Sequence, residues 1–266
     1  MEMLRLHSTA VSAILLCALA VSPSIADEPS AREWLLRSQN ARFPAATMVA
    51  SFTIDITTED GSKFERKGRS VRATREDGLS DRLFIITEPR SISGMTLLSK
   101  DVEDGPANQW LYLPAYRRVR RVAIHGSGDA FVGSDFYYAD LARVRVEAGG
   151  HSLKGEASVS GRPCVLVETR HEDAQLPYGR TVAALDKETA LPMRVEYFDR
   201  KDVLLKVGTI DSVESHAGHP TPVALTMRNE ATGSHSRILL DSVLYDSDLD
   251  RSMFTVERLE EQGPPH

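Results

Sequence analysis

Few residues in this chain have the types and spacing that chemistry requires. His216 and His219 form an H-x-x-H pair, a spacing that can hold a metal ion. Gly218 and Pro220 place that pair in a turn, and His125, His151, His171, His235 and His266 are scattered without ligand spacing. No metal site is expected. Cys164 sits in the strand-like run Pro163-Cys164-Val165-Leu166-Val167. It has neither the helix N-terminus nor the cationic neighbours that make a reactive thiolate, so it reads as a small buried apolar group. There is no G-x-S-x-G elbow, Walker A loop, H-E-x-x-H or G-x-G-x-x-G. Carboxylates are plentiful, but no motif anchors an acid and a base. The chain is therefore not read as an enzyme, and no catalytic residue or cofactor is expected.

The densest charge is cationic. Arg117, Arg118, Arg120 and Arg121 fall in one five-residue stretch. On a strand, Arg118 and Arg120 face one way while Arg117, Val119 and Arg121 face the other. Such a patch suits anionic headgroups or an acidic partner surface. It equally suits a solvated strand that discourages edge pairing. Residues 61–121 hold 13 Lys and Arg against 8 Asp and Glu, yet the whole chain carries a net charge of −6. A net-acidic chain with an export leader is a poor partner for nucleic acid.

The elements that would position these residues are mostly strands. Residues 1–26 read as a secretory signal peptide: Arg5 and His7 at the start, an apolar run from Ala10 to Val21, and Ser24-Ile25-Ala26 as the small-x-small cleavage site. The run is too short to span a bilayer. Cys17 lies inside it, and Leu16 is too bulky for lipoprotein cleavage there. Residues 27–266 are then one exported domain. Of the 266 residues, 41% are hydrophobic and 26% charged, a globular balance. Ser30 and Glu33 fit a capping box before Trp34-Leu35-Leu36, which predicts a short opening helix. Strict alternation follows at Phe52, Ile54 and Ile56, at Met193, Val195 and Tyr197, and at Val223, Leu225 and Met227. That is the mark of antiparallel strands with one dry face. Turn signals at residues 59–62, 101–106, 149–150 and 199–202 divide about eleven such runs. No linker splits the chain, so the pattern predicts a mainly β, single-domain sandwich or barrel.

One segment breaks the alternation. Phe131-Val132-Gly133-Ser134-Asp135-Phe136-Tyr137-Tyr138-Ala139-Asp140-Leu141 is aromatic-rich, and Asp135 could cap a short helix beginning at Phe136. Such an insertion either plugs one end of the core or covers a cavity as a lid. In the second case Phe131, Asp135, Phe136, Tyr138 and Leu141 are its residues.

This segment, together with Gln109-Trp110-Leu111-Tyr112-Leu113-Pro114, the arginine cluster, Gly161-x-Pro163-Cys164, and Asp186-Lys187 through Leu191-Pro192 to Glu196-Tyr197-Phe198-Asp199, resembles the outer-membrane lipoprotein-sorting family. These are LolA-like periplasmic proteins often encoded beside RND/MMPL-type exporters. The resemblance implies an unclosed antiparallel β-barrel whose helical lid covers an apolar cavity. It also implies a carrier of lipid or lipoprotein acyl chains without chemistry, an inner-membrane RND/MMPL exporter as partner, and transient membrane contact. Val132 and Ala139 depart from the family pattern, which expects methionine and an acidic residue there. By parity, Phe52, Ile54, Ile56, Phe84, Ile86, Trp110 and Tyr112 line the cavity or pack as plain core. The alternative is a lipid or lipoprotein sensor module like RseB, acting through a membrane partner.

Overall fold

The computed structural model describes residues 28–103, 105–122, 128–143, 146, 149–174 and 176–265. The signal peptide expected over residues 1–26 lies outside these. The opening helix α1 (Ala31–Arg42) starts as its sequence predicts. Ser30 accepts from the Glu33 amide at 3.3 Å, and the Glu33 carboxylate accepts from the Ser30 amide at 2.7 Å. Two donors that a helix start leaves orphaned are thereby satisfied.

Thirteen strands follow among the described residues, two more than the turn signals mark out, all in one antiparallel sheet. They are β1 (Thr47–Thr57), β2 (Lys63–Thr74), β3 (Ser80–Glu88), β4 (Thr96–Lys100), β5 (Asn108–Leu113) and β6 (Arg118–Arg121), then β7 (Gly150–Val159), β8 (Arg162–Arg170), β9 (Arg180–Asp186), β10 (Pro192–Phe198), β11 (Leu204–His216), β12 (His219–Asn229) and β13 (His235–Tyr245). Neighbours in sequence pair as hairpins, and β1 closes the two halves by pairing with β13. The spatial order runs from β6 through β1, β13 and β12 to β7. The sheet is not closed, because β6 and β7 form its two edges. They are nevertheless consecutive in sequence, so residues 122–149 must travel from one edge of the sheet to the other. The aromatic segment lies on that path.

Cross-strand register defines the inner face. Phe52 of β1 stands opposite Leu240, and Ile54 opposite Ile238. On the other side Ser70 opposes Phe84, Phe84 opposes Leu97, and Leu97 opposes Leu111. Phe52, Ile54, Ile56, Ile86 and Leu97 form one buried cluster with Phe131 and Tyr138 of the crossing segment. The outer face is a second cluster. There Val71, Leu83, Ile85, Leu98 and Tyr112 pack beneath Phe254 and a second helix, α2 (Val256–Gln262). At the far end, Trp34 and Leu35 of α1 pack on Val165, Val167 and Leu185 of β8 and β9.

Gly68 shows how tightly the inner face is drawn. It faces Phe52 across β1 and β2, and a Cβ there would lie 2.5 Å from both the Phe52 Cζ and the Ile85 carbonyl oxygen. Only glycine permits this approach. Gly68→Ala is expected to lower the unfolding free energy in urea by about 1–3 kcal/mol, the usual cost of forcing atoms into a packed interior.

Candidate functional site

The inner face, α1 and the crossing segment together enclose a cavity of about 730 Å³. That is within the usual range of about 300–1,000 Å³ for small-molecule sites. Its walls are mostly apolar: Phe52, Ile54, Phe84, Leu225, Met227, Ile238 and Leu240 from the sheet, Leu35 from α1, and Phe131, Phe136 and Leu141 from the crossing segment.

The sites expected from sequence are divided by this geometry. Phe52, Ile54 and Phe84 stand in the cavity wall. Ile56 and Ile86 point to the same side but are packed solid in the cluster around Phe131. Trp110 and Tyr112 are a correction. Leu111 opposes Leu97 on the inner face, so its neighbours on β5 project outward, where they pack under α2. Alternation identified residues that share a face without saying which face was inner.

The segment expected as a capped helix is the second correction. It forms two 3-10 turns, Phe131–Gly133 and Tyr138–Leu141, joined by a small hairpin in which Phe131 donates to the Phe136 carbonyl at 2.7 Å. Val132 and Gly133 both take positive φ, 47° and 82°, at its tip. A six-residue helix has too few bonds to outweigh its nucleation cost. Asp135 has stronger partners than a helix start. Its carboxylate accepts from Ser234 at 2.5 Å and Ser236 at 2.6 Å, and its amide donates to the Ser236 hydroxyl at 2.9 Å.

Five residues on, Asp140 makes the second anchor. Its Oδ2 accepts from Lys206 Nζ at 2.5 Å and from the Tyr137 amide at 2.6 Å, and its Oδ1 accepts from the Tyr178 hydroxyl at 2.6 Å. The Lys206 and Asp140 side chains are 1% and 4% exposed. The ammonium also donates to the Asp135 carbonyl at 3.2 Å and lies 3.4 Å from the centre of the Tyr137 ring, with Tyr178 and Tyr197 at 5.2 and 5.3 Å. Burial pulls the Lys206 ammonium below the usual lysine range, and Asp140 opposes that pull. Burial likewise raises the Tyr178 hydroxyl well above the ordinary tyrosine value, with Asp140 adding to the shift. Within its run, Lys206 carries no signal of this role. The Ser134-Asp135…Asp140 block does, because acidic residues in an apolar segment need partners.

The remaining expected residues lie elsewhere. Arg117 occupies a turn with φ 49°, so the cluster is not one continuous strand. Arg118, Arg120 and Arg121 are on β6, and all four are exposed at the sheet edge. Arg120 stands opposite Leu111, and Arg121 donates to the Asn108 side chain at 2.5 Å. His216 contacts Glu214, and the His219 ring packs edge-on against Tyr245. Cys164 is buried, and burial raises its thiol above the ordinary value. Among the described residues no helix is long and apolar enough to cross a membrane.

An unclosed antiparallel barrel with a segment crossing its mouth is the LolA-like fold, and solved structures carry it. A domain named for outer-membrane lipoprotein sorting, from Vibrio parahaemolyticus, is 24% identical with a TM-score of 0.81, covering 86% of this chain and 98% of its own. A DUF1329 family protein from Desulfovibrio piger is 23% identical with the same TM-score, over 86% and 97%. A LolA superfamily protein from Nitrosomonas europaea is 18% identical with a TM-score of 0.70, over 87% and 100%. A family model described as that of an uncharacterized protein matches residues 78–261, and the chain belongs to that family. No curated protein matches the chain.

Two outcomes follow from the site. Lys206→Met leaves Asp140 buried without its counter-charge and is expected to cost about 3–5 kcal/mol in urea unfolding. The amides of residues 128–143 should then exchange faster with deuterium than those of β1–β3. His171 lines the cavity beside Thr181, and burial lowers its pKa from 6.5 to about 4. Between those values the unfolded chain binds more protons than the folded one. Stability is therefore whole above pH 6.5 and declines as pH falls towards 4, by at most about 3 kcal/mol. His171→Gln should flatten that part of a stability–pH profile.

Proposed function

We propose that this protein is a periplasmic carrier that holds the acyl chain of a lipid or lipoprotein in the cavity and moves it between membrane components. The supporting observation is the apolar wall that the strap of residues 131–141 completes. Each methylene removed from water is worth about 0.8 kcal/mol, so a sixteen-carbon chain gains on the order of 12 kcal/mol in such a site. Met227 in the wall adapts to ligands of different shape. The name carried by the Vibrio parahaemolyticus domain, lipoprotein sorting, agrees with this reading. Residues 27–266 act as the carrier after removal of residues 1–26, and binding and release need no catalytic group. Phe131, Phe136 and Leu141 serve as the cover over the chain. The four exposed arginines meet anionic headgroups or an acidic partner during transient membrane contact, and an RND/MMPL-type exporter is that partner.

Native mass spectrometry of gently purified protein tests the reading. Bound acyl species are expected, as is uptake of a fluorescent fatty acid. Ile238→Trp, which fills the cavity from β13, should reduce uptake several-fold while the melting temperature stays within a few degrees. Protein free of acyl species that also takes up no fatty acid overturns the carrier.

A further inference from the structure

Three guanidinium groups gather around one ring in the cavity wall. The Arg42, Arg72 and Arg82 Cζ atoms lie 5.5, 5.2 and 4.8 Å from the centre of the Phe43 ring. Arg72 and Arg82 stand directly opposite each other on β2 and β3, 1% and 4% exposed. Like charges opposed across two strands repel, and a buried cation without an anion is costly. Among the described residues a single carboxylate bonds to this group: Asp101 accepts from both Nη atoms of Arg82, at 3.0 and 2.9 Å.

Among the described residues Arg72 has only neutral acceptors, the Thr74 hydroxyl at 2.7 Å and the Ala45 carbonyl at 2.6 Å. The Nε atoms of both Arg72 and Arg82 are buried without a partner. Arg42, the last residue of α1, lines the cavity, and its side chain makes no hydrogen bond or ion pair among the described residues. Burial lowers its pKa, and nearby Arg82 adds to the effect. Burial and Arg82 together bring Arg72 to about 10. The carboxylates within reach are otherwise engaged. Asp140 is held by Lys206, Asp101 by Arg82, and exposed Asp246 accepts from the Ala46 amide. Glu172 and Asp173, in the loop after β8, line the same cavity, as do Arg121 and Arg143.

Two buried or half-buried positive charges therefore border an apolar cavity with no anion among the described residues bonded to them. The fold tolerates repulsion there that a neutral pair would remove. We infer that the cavity's ligand is an amphiphile with an anionic head, carboxylate or phosphate. Arg42 bonds to the head, and Arg72 and Arg82 supply positive potential behind it. The chain lies along Phe52, Ile54, Leu225 and Ile238. This inference rests on the carrier reading and names the class of lipid it takes.

Equilibrium binding of dodecanoate, dodecyl phosphate and dodecanol to the protein at pH 8 tests it. The anions should bind about tenfold or more tightly than the alcohol, as hydrogen bonds to charged groups require. In Arg42→Gln that ratio should fall towards one, and Arg42→Lys should restore part of it, since an ammonium keeps the charge but not the fork. Preference for one anion over the other supports the inference and identifies the head. Alcohol binding as tight as that of both anions, or an unchanged ratio in Arg42→Gln, overturns the anionic head and leaves the acyl carrier standing. Failure of all three to bind overturns both.

Discussion

A lysine can be charged and buried in this protein because Asp140, a backbone carbonyl and three tyrosine rings replace the water its ammonium loses. That site ties residues 135–140, which come between the two edge strands in sequence, to β11 near the middle of one wing of the sheet. An open sheet of thirteen strands has no hydrogen bonds between its edges. The strap supplies what they lack: Asp135 holds Ser236 of β13 and Ser234 just before it, Asp140 holds β11 through Lys206, and Gln109 of β5 donates to the Tyr138 carbonyl at 3.0 Å. Three strands from both wings are thereby bonded to one short segment. The sequence spacing of the strap has the same origin. Asp135 and Asp140 must reach different strands, and the 3-10 turn that carries Asp140 provides the offset.

The wall itself is a compromise between closure and space. Where a ring packs onto bare backbone, as Phe52 does over Gly68, the barrel is drawn in. Where Phe84 contacts Phe131 with ring centres 5.9 Å apart, the strap seals one side. Between these contacts Leu225, Ile238 and Leu240 face open space, and the guanidinium cluster around Phe43 gives that space one cationic end.

Much of the fold was legible because alternation is a direct imprint of a half-buried strand. Phe52, Ile54 and Ile56 share the inner face, as their spacing required, and the turn residues at 59–62 and 199–202 separate the strands they were read to separate. The opening capping box was legible for the same local reason. Long-range choices were not. Whether Leu111 or its neighbours Trp110 and Tyr112 turn inward depends on register with β4, which no local pattern reports. Met193 was read in phase with Val195 and Tyr197. The pairing slips between Pro192 and Arg194, and Met193 packs with Cys164 and Leu191 while the other two line the cavity. The strap misled because its composition permits a helix, while its conformation is decided by Ser234, Ser236 and Lys206, all far away in sequence. The guanidinium cluster joins α1 to β2 and β3, three elements that each look ordinary alone.

Titration calorimetry with saturated fatty acids of increasing length puts the central claim to its most direct test. If the cavity takes the chain, affinity should rise by about 0.8 kcal/mol per added methylene until the space is filled, with a growing negative heat-capacity change. An affinity that does not depend on chain length, or binding without a heat-capacity change, would contradict the account.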